Sequence, residues 1–155
     1  MKKITLLFFL LLSLLLSACA PKSSPLAFFE KEFCLLARFS FPSLTAEGEC
    51  RLSPSGNGSI CFSSPDSLRG ITLYKEGDRV GFTLQGISVT ARDTRFFDFF
   101  ALKGATVTAR RQDRENVFLE AETAVGRFRV TLLANGAPTE IVTEDGRLTV
   151  LEILS

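Results

Sequence analysis

The stretch "GRFRVTLLANGAPTEIVTEDGRLTVLEIL", Gly126 to Leu154, alternates apolar with polar residues and is broken only by Asn135-Gly136 and Asp145-Gly146. A period of two belongs to a strand with one buried face, and Asn-Gly or Asp-Gly between two such runs is the strongest short-range signal for a hairpin. The same pattern continues upstream. "TVTARRQDRENVFLEAET" turns within Asp113 to Asn116 and sets Val107 and Ala109 against Val117, Leu119 and Ala121. "ITLYKEGDRVGFTL" turns over Glu76-Gly77-Asp78, with Val80, Phe82 and Leu84 on one face. Turn signals spaced roughly eight to twelve residues apart predict antiparallel, mostly sequential hairpins.

Two segments depart from that rhythm. Ser24-Pro25 reads as a helix start, serine as the cap and proline at the first helical position. Behind it, "LAFFEKEFCLLARF" carries Leu26, Phe29, Phe33 and Leu36 on one stripe, widened by Phe28 and Leu35, while Glu30, Lys31 and Glu32 face away. The spacing predicts an amphipathic helix packed on the core, because a bilayer-seeking helix would carry a cationic polar face. The second segment is "DTRFFDFFALKG". It has Asp93 or Thr94 as a cap, Phe96 with Phe99 and Phe100 at helical spacing, and Gly104 as a stop. Phe96, Phe97, Phe99 and Phe100 cannot share one narrow stripe, so this short helix or lid packs on two sides or lines something apolar.

The amino terminus carries a different signal. Lys2 and Lys3 precede Ile4 to Leu16, apolar apart from Thr5 and Ser13, and then come Ser17 and Ala18. That order is an export signal. As a helix the run covers roughly 20 Å, short of the ~30 Å hydrocarbon core, which disfavours a permanent span. Leu16-Ser17-Ala18-Cys19 resembles the lipobox of bacterial lipoproteins. The resemblance implies cleavage before Cys19, a diacylglyceryl thioether of palmitate-like chains on its sulfur, and anchorage to the extracytoplasmic face of a bacterial membrane. The division that follows is a lipoprotein signal peptide over 1–18, a lipidated cysteine and tether over 19–24, and one domain over 25–155.

Charge and residue types narrow the chemistry. Setting Lys2 and Lys3 aside from the 18 basic residues leaves 16 against 17 acidic ones, which is no nucleic-acid footprint. Arg110, Arg111, Arg114, Arg127 and Arg129 interleave with Glu115, Glu120 and Glu122, as on a solvated sheet face. The chain holds no histidine and no C-x-x-C, so a zinc or copper site and a Ser-His-Asp or Cys-His centre are all unexpected. Glu120 and Glu122 share one strand face, the geometry of a carboxylate pair and equally of any solvent-facing strand. No cofactor is implied, and the chain reads as non-enzymatic. Cys50 and Cys61 flank the turn Pro54-Ser55-Gly56-Asn57-Gly58. A four-residue loop from Pro54 to Asn57 places the two opposite each other as a candidate disulfide. A one-residue slip separates them onto opposite faces, and the preferred reading is two buried thiols used as small apolar residues.

With tether, amphipathic helix, strands, aromatic helix and further strands in order, the chain resembles the LolA/LolB-like superfamily of bacterial lipoprotein carriers. "FSSPDSLRGITLYKEGDRVGF" and the closing meander "GRFRVTLLANGAPTEIVTEDGRLTV" carry the resemblance, which covers most of residues 24–155. It implies an α+β, mostly β architecture: a curved antiparallel sheet of about eleven strands forming an incomplete barrel, with helices packed across its concave side. The hollow of such a barrel accepts acyl chains. The superfamily also includes lipoproteins of spore-forming Gram-positive bacteria, spore-germination lipoproteins among them, that use the fold for protein contacts, and the compact size here suits that branch. No apolar loop tip, the device by which acceptor members insert into a membrane, is evident.

Two functions follow as expectations. In one, the hollow is filled by the protein's own elements, and the chain is an interaction or scaffold protein docking an envelope protein at the membrane surface. In the alternative, the hollow binds acyl chains or lipoproteins and is lined by Phe82, Phe96, Phe99, Phe100 and Phe128. Of the 15 phenylalanines, those beyond Phe8 and Phe9 stand with one tyrosine and no tryptophan, a balance that favours filling over display.

Overall fold

The first strand departs from the helix expected there. In the computed structural model, which describes residues 24–92 and 94–154, β1 (Phe33–Phe41) buries Phe33, Leu35, Ala37 and Phe39 and turns Arg38 outward. Among the described residues, one 3₁₀ turn, Ala27–Glu30, precedes it and buries Phe29. The stripe Leu26, Phe29, Phe33 fits a helix and a turn followed by a strand equally well. "FCLLARFSF" decides the matter, because its alternate residues all find partners on one sheet face. The amphipathic helix expected from Ser24 is therefore corrected to a turn and the central strand of the sheet.

The other strands follow as β2 (Leu44–Leu52), β3 (Gly58–Ser64), β4 (Thr72–Glu76), β5 (Arg79–Leu84), β6 (Ile87–Ala91), β7 (Thr106–Gln112), β8 (Asn116–Thr123), β9 (Gly126–Leu133), β10 (Pro138–Val142) and β11 (Arg147–Ile153). All eleven lie in one antiparallel sheet, ordered β6-β5-β4-β3-β2-β1-β11-β10-β9-β8-β7. Every neighbour is a chain neighbour except β1 and β11. The chain thus walks outward from β1 to the edge β6, crosses over, lands on the opposite edge β7 and walks back to close against β1. Among the described residues the two edges do not pair, and the sheet is open.

One face of that sheet is dry. Buried residues of β1, β2, β3, β5, β8, β9, β10 and β11 meet in a single core cluster, which requires the sheet to curve around them. The crossover supplies the rest of the filling. It contains α1 (Arg95–Asp98) and then turns through residue 104, where Gly104 takes φ +72°. Thr94 occupies the N-cap position without capping the backbone, and its hydroxyl donates to Asp98 Oδ2 at 3.3 Å. Asp93, the other cap candidate, lies outside the described residues. Helices packed across the concave side are likewise corrected. The described residues place one α-helical turn, α1, an aromatic loop and the 3₁₀ turn with its buried Phe29 there.

The predicted turns recur in place, with one change of length. Gly77-Asp78 joins β4 to β5, and the turns at Asn135-Gly136 and Asp145-Gly146 join β9 to β10 and β10 to β11. Between β2 and β3, however, Leu52 pairs with Gly58, leaving a loop over residues 53–57 instead of four residues.

Candidate functional site

That extra loop residue decides the fate of the cysteines. Cys50 pairs with Ile60, and Cys61 pairs with Glu49. Cys50 accordingly points into the core and Cys61 out to solvent, and the candidate disulfide is corrected to free thiols at Cys34, Cys50 and Cys61. Burial pushes the Cys50 thiol far above its ordinary value. On the outer face, Cys34 sits 3.6 Å from Glu49 Oε1, and partial burial, then the carboxylate, raises its pKa. Arg51, bonded at 2.8 Å, chiefly holds the Glu49 carboxyl below its usual range. Cys19 lies outside the described residues.

The hollow is built around Phe39 of β1. Phe96 sits 5.1 Å from it ring to ring, Phe99 5.9 Å and Phe100 6.4 Å. Phe96 also packs on Phe41 at 5.0 Å and Phe62 at 5.1 Å, both edge-on, while Phe100 reaches Phe33 at 5.8 Å. Phe97 and Leu102 are buried in the same cluster. The four phenylalanines of "RFFDFF" are thus packed against the sheet. Edge-to-face pairs at these separations add to the area term, so the plug is held by ring geometry as well as by exclusion of water.

Of the residues expected to line the hollow, Phe96, Phe99, Phe100 and Phe128 join the core cluster or pack against it. Phe82 does not. It is half-buried on β5, where its row runs from buried Ile60 through Leu73 to Phe82 and Val89. Along that row the concave face opens, and Val89 is 44% exposed. The β5–β6 hairpin tip goes further, with Leu84 39% and Ile87 70% exposed around Gln85-Gly86. An apolar tip is therefore present where none was expected from sequence. Its signal was the pair of large apolar residues flanking a Gln-Gly turn. Phe33, Phe39, Phe41 and Phe62, the sheet half of the aromatic cluster, were also unforeseen as site residues. The alternation in "FCLLARFSF" would have exposed the first three.

Other surfaces carry open depressions and paired charges. An open depression of about 300 Å³ at the rim of the plug is bordered by Phe29, Phe33 and Phe100 with Lys75 and Lys103. The outer face carries matched charges: Arg38 with Glu47 at 2.7 Å, Arg127 with Glu122 at 2.9 Å and Arg147 with Glu140 at 3.1 Å. Glu120 stands opposite Arg129 in the ladder. Exposed pairs of this kind contribute ~0–1 kcal/mol each. Among the described residues, no three His, Cys, Asp or Glu side chains converge to hold a metal. No described helix is long and apolar enough to cross a membrane.

The fold has counterparts among solved structures. An uncharacterized conserved protein from Thermus thermophilus superimposes with a TM-score of 0.52 at 12% identity, covering 83% of this chain and 82% of that one. A LolA superfamily protein from Nitrosomonas europaea aligns with a TM-score of 0.41 at 12% identity, over 77% of this chain and 67% of its own. No family model matches the sequence, and no curated protein does. At such identity the likeness to the Thermus protein speaks to fold alone.

Proposed function

We propose that this chain is an extracytoplasmic lipoprotein, held to a bacterial membrane through Cys19, that works without catalysis as an interaction or scaffold protein of the cell envelope. One observation carries the choice over lipid carriage. The crossover rings occupy the middle of the hollow, with Phe99 1% and Phe97 2% exposed. An acyl chain would have to displace side chains that already make close aromatic contacts. The anchorage rests on the Leu16-Ser17-Ala18-Cys19 lipobox, and the partner is taken to be another envelope protein.

Titration of the wild-type domain with a fluorescent fatty acid tests the class. The expected result is no saturable uptake. Saturable uptake that excess unlabelled fatty acid displaces would move the assignment to an acyl-chain carrier, seated on the open wing beside Phe82.

A further inference from the structure

The two edges of the sheet differ in kind. The β7 edge carries Arg110 and Arg111 and breaks register between Val107 and Ala109. Charges and irregularity are the usual means by which an edge strand deters pairing. The β6 edge has neither. Ile87-Ser88-Val89-Thr90-Ala91 is uncharged, lacks proline and pairs with β5 without a register shift.

The turn that leads into β6 fixes which of its backbone groups are free. Gln85 and Gly86 both take positive φ, +50° and +83°, the signature of a two-residue type I′ hairpin. In such a hairpin the flanking residues, Leu84 and Ile87, exchange both backbone hydrogen bonds, and bonded pairs then alternate along the ladder. Phe82 with Val89 is therefore a bonded pair, whereas Thr83 with Ser88 and Gly81 with Thr90 are not. The N–H and C=O groups of Ser88 and Thr90 point away from β5, along an edge that no described strand covers.

We propose that β6 is the surface at which a second copy of this chain docks, strand to strand and antiparallel, about a two-fold axis through Val89. In that register Ser88 faces Thr90 of the partner subunit, so the outward groups of each meet those of the other in two bonded pairs. Hydroxyl side chains lie beside hydroxyl side chains on the outer face. On the concave face Val89 meets its own copy, and bulky Ile87 lies against small Ala91 of the partner subunit. No charge opposes a like charge, because each Arg92 falls opposite Gly86 of the other copy. Placing the axis through Ser88 or Thr90 instead runs the ladder into the Gly86 turn or into Arg92. The apolar residues left uncovered on the wing, Leu84, Ile87 and Val89, lie at or beside this seam. The interface is isologous and closed, so it yields dimers and no fibre. A ladder this short belongs to the small, weak class of interfaces. This inference goes beyond the proposed function and does not depend on it.

Cysteine cross-linking of the full chain in a bacterial host tests the pairing. Cys61 is first replaced by serine, which removes the thiol that is exposed among the described residues. Val89→Cys then places two thiols on the axis as a non-bonded pair, with Cα atoms ~4.5 Å apart, within the range a disulfide spans. Mild oxidation is expected to give a homodimer band on a non-reducing gel for Val89→Cys and none for Thr106→Cys on the β7 edge. Adding Thr90→Pro removes an outward N–H while leaving the β5 bonds intact, so it should abolish most of the band at unchanged melting temperature. Ile87→Lys, at an exposed position, should do the same and guards against misfolding of the proline variant. The proposal is overturned if Val89→Cys cross-links no better than Thr106→Cys. It is equally overturned if the band survives both disrupting changes, or if the adduct has the mass of a different protein.

Discussion

Truncating Phe99 separates a filled hollow from a ligand-ready one. Its ring is 1% exposed and packs on Phe39 at 5.9 Å and on Phe41 at 5.7 Å, with Phe100 next to it in sequence and Phe96 three residues before it. Losing the transfer free energy of a buried phenylalanine costs about 1.5–3 kcal/mol. The void left between β1 and the crossover adds the remainder, giving the ~3–5 kcal/mol typical of Phe→Ala in a core. That is a fifth or more of the stability of an ordinary domain, which runs to ~5–15 kcal/mol. For a domain of this size it corresponds to a fall in melting temperature of roughly 10–20 °C.

Phe82 supplies the internal control. It is a phenylalanine on the same concave face, but half-buried and outside the core cluster. Phe82→Ala should cost about 1 kcal/mol, since only part of its surface leaves water and little void forms. Calorimetric melting of both variants beside wild type reads the difference directly, and the missing tryptophan makes calorimetry preferable to fluorescence. Equal losses for Phe99→Ala and Phe82→Ala would refute the reasoning. A loss below ~1 kcal/mol for Phe99→Ala would mean that the plug does not support the sheet.

Three further outcomes are expected. Cys19→Ala should abolish incorporation of radioactive palmitate and leave an uncleaved precursor in a bacterial host; undiminished labelling would refute the proposed anchorage. Thiol labelling of the folded domain at mildly alkaline pH should proceed in the order Cys61, Cys34, Cys50: Cys61 is exposed, burial and Glu49 raise the Cys34 pKa and lower its thiolate fraction, and Cys50 reacts only on unfolding. Gly81→Ala should destabilise the β4–β5–β6 wing by ~1–3 kcal/mol in a chemical melt, because a Cβ there would collide with the Tyr74 ring and the Val89 carbonyl.

Most of the sheet was legible because its signals are local. A period of two, with Gly77, Asn135-Gly136 and Asp145-Gly146 at the turns, needs no knowledge of distant contacts, and each of these hairpins formed where its residues indicated. The first strand was not legible in the same way. Leu26, Phe29 and Phe33 satisfy a helical stripe as well as a turn followed by a strand. What settles β1 is its pairing with β2 on one side and β11 on the other. The second of those partners lies at the far end of the chain, where no local window reaches it, so tertiary pairing overrode the local preference.

The site divides along the same line. The crowding of Phe96, Phe97, Phe99 and Phe100 announced burial on two sides, but not which surface would receive it. Phe39 and Phe62 could be assigned to that surface only once β1 and β3 were known to face the crossover. The cysteines show how little was needed to go astray. One residue in the loop over 53–57 moves Cys61 from the face of Cys50 to the opposite one, since the side-chain period of a strand is two. The β5–β6 tip failed to register for the opposite reason: alternation marks Leu84, Ile87 and Val89 as inward-facing, yet the crossover covers the middle of the concave face and stops short of this wing. Exposure there is a property of where the plug ends, which is set by the length of the segment between β6 and β7 and is written in neither strand.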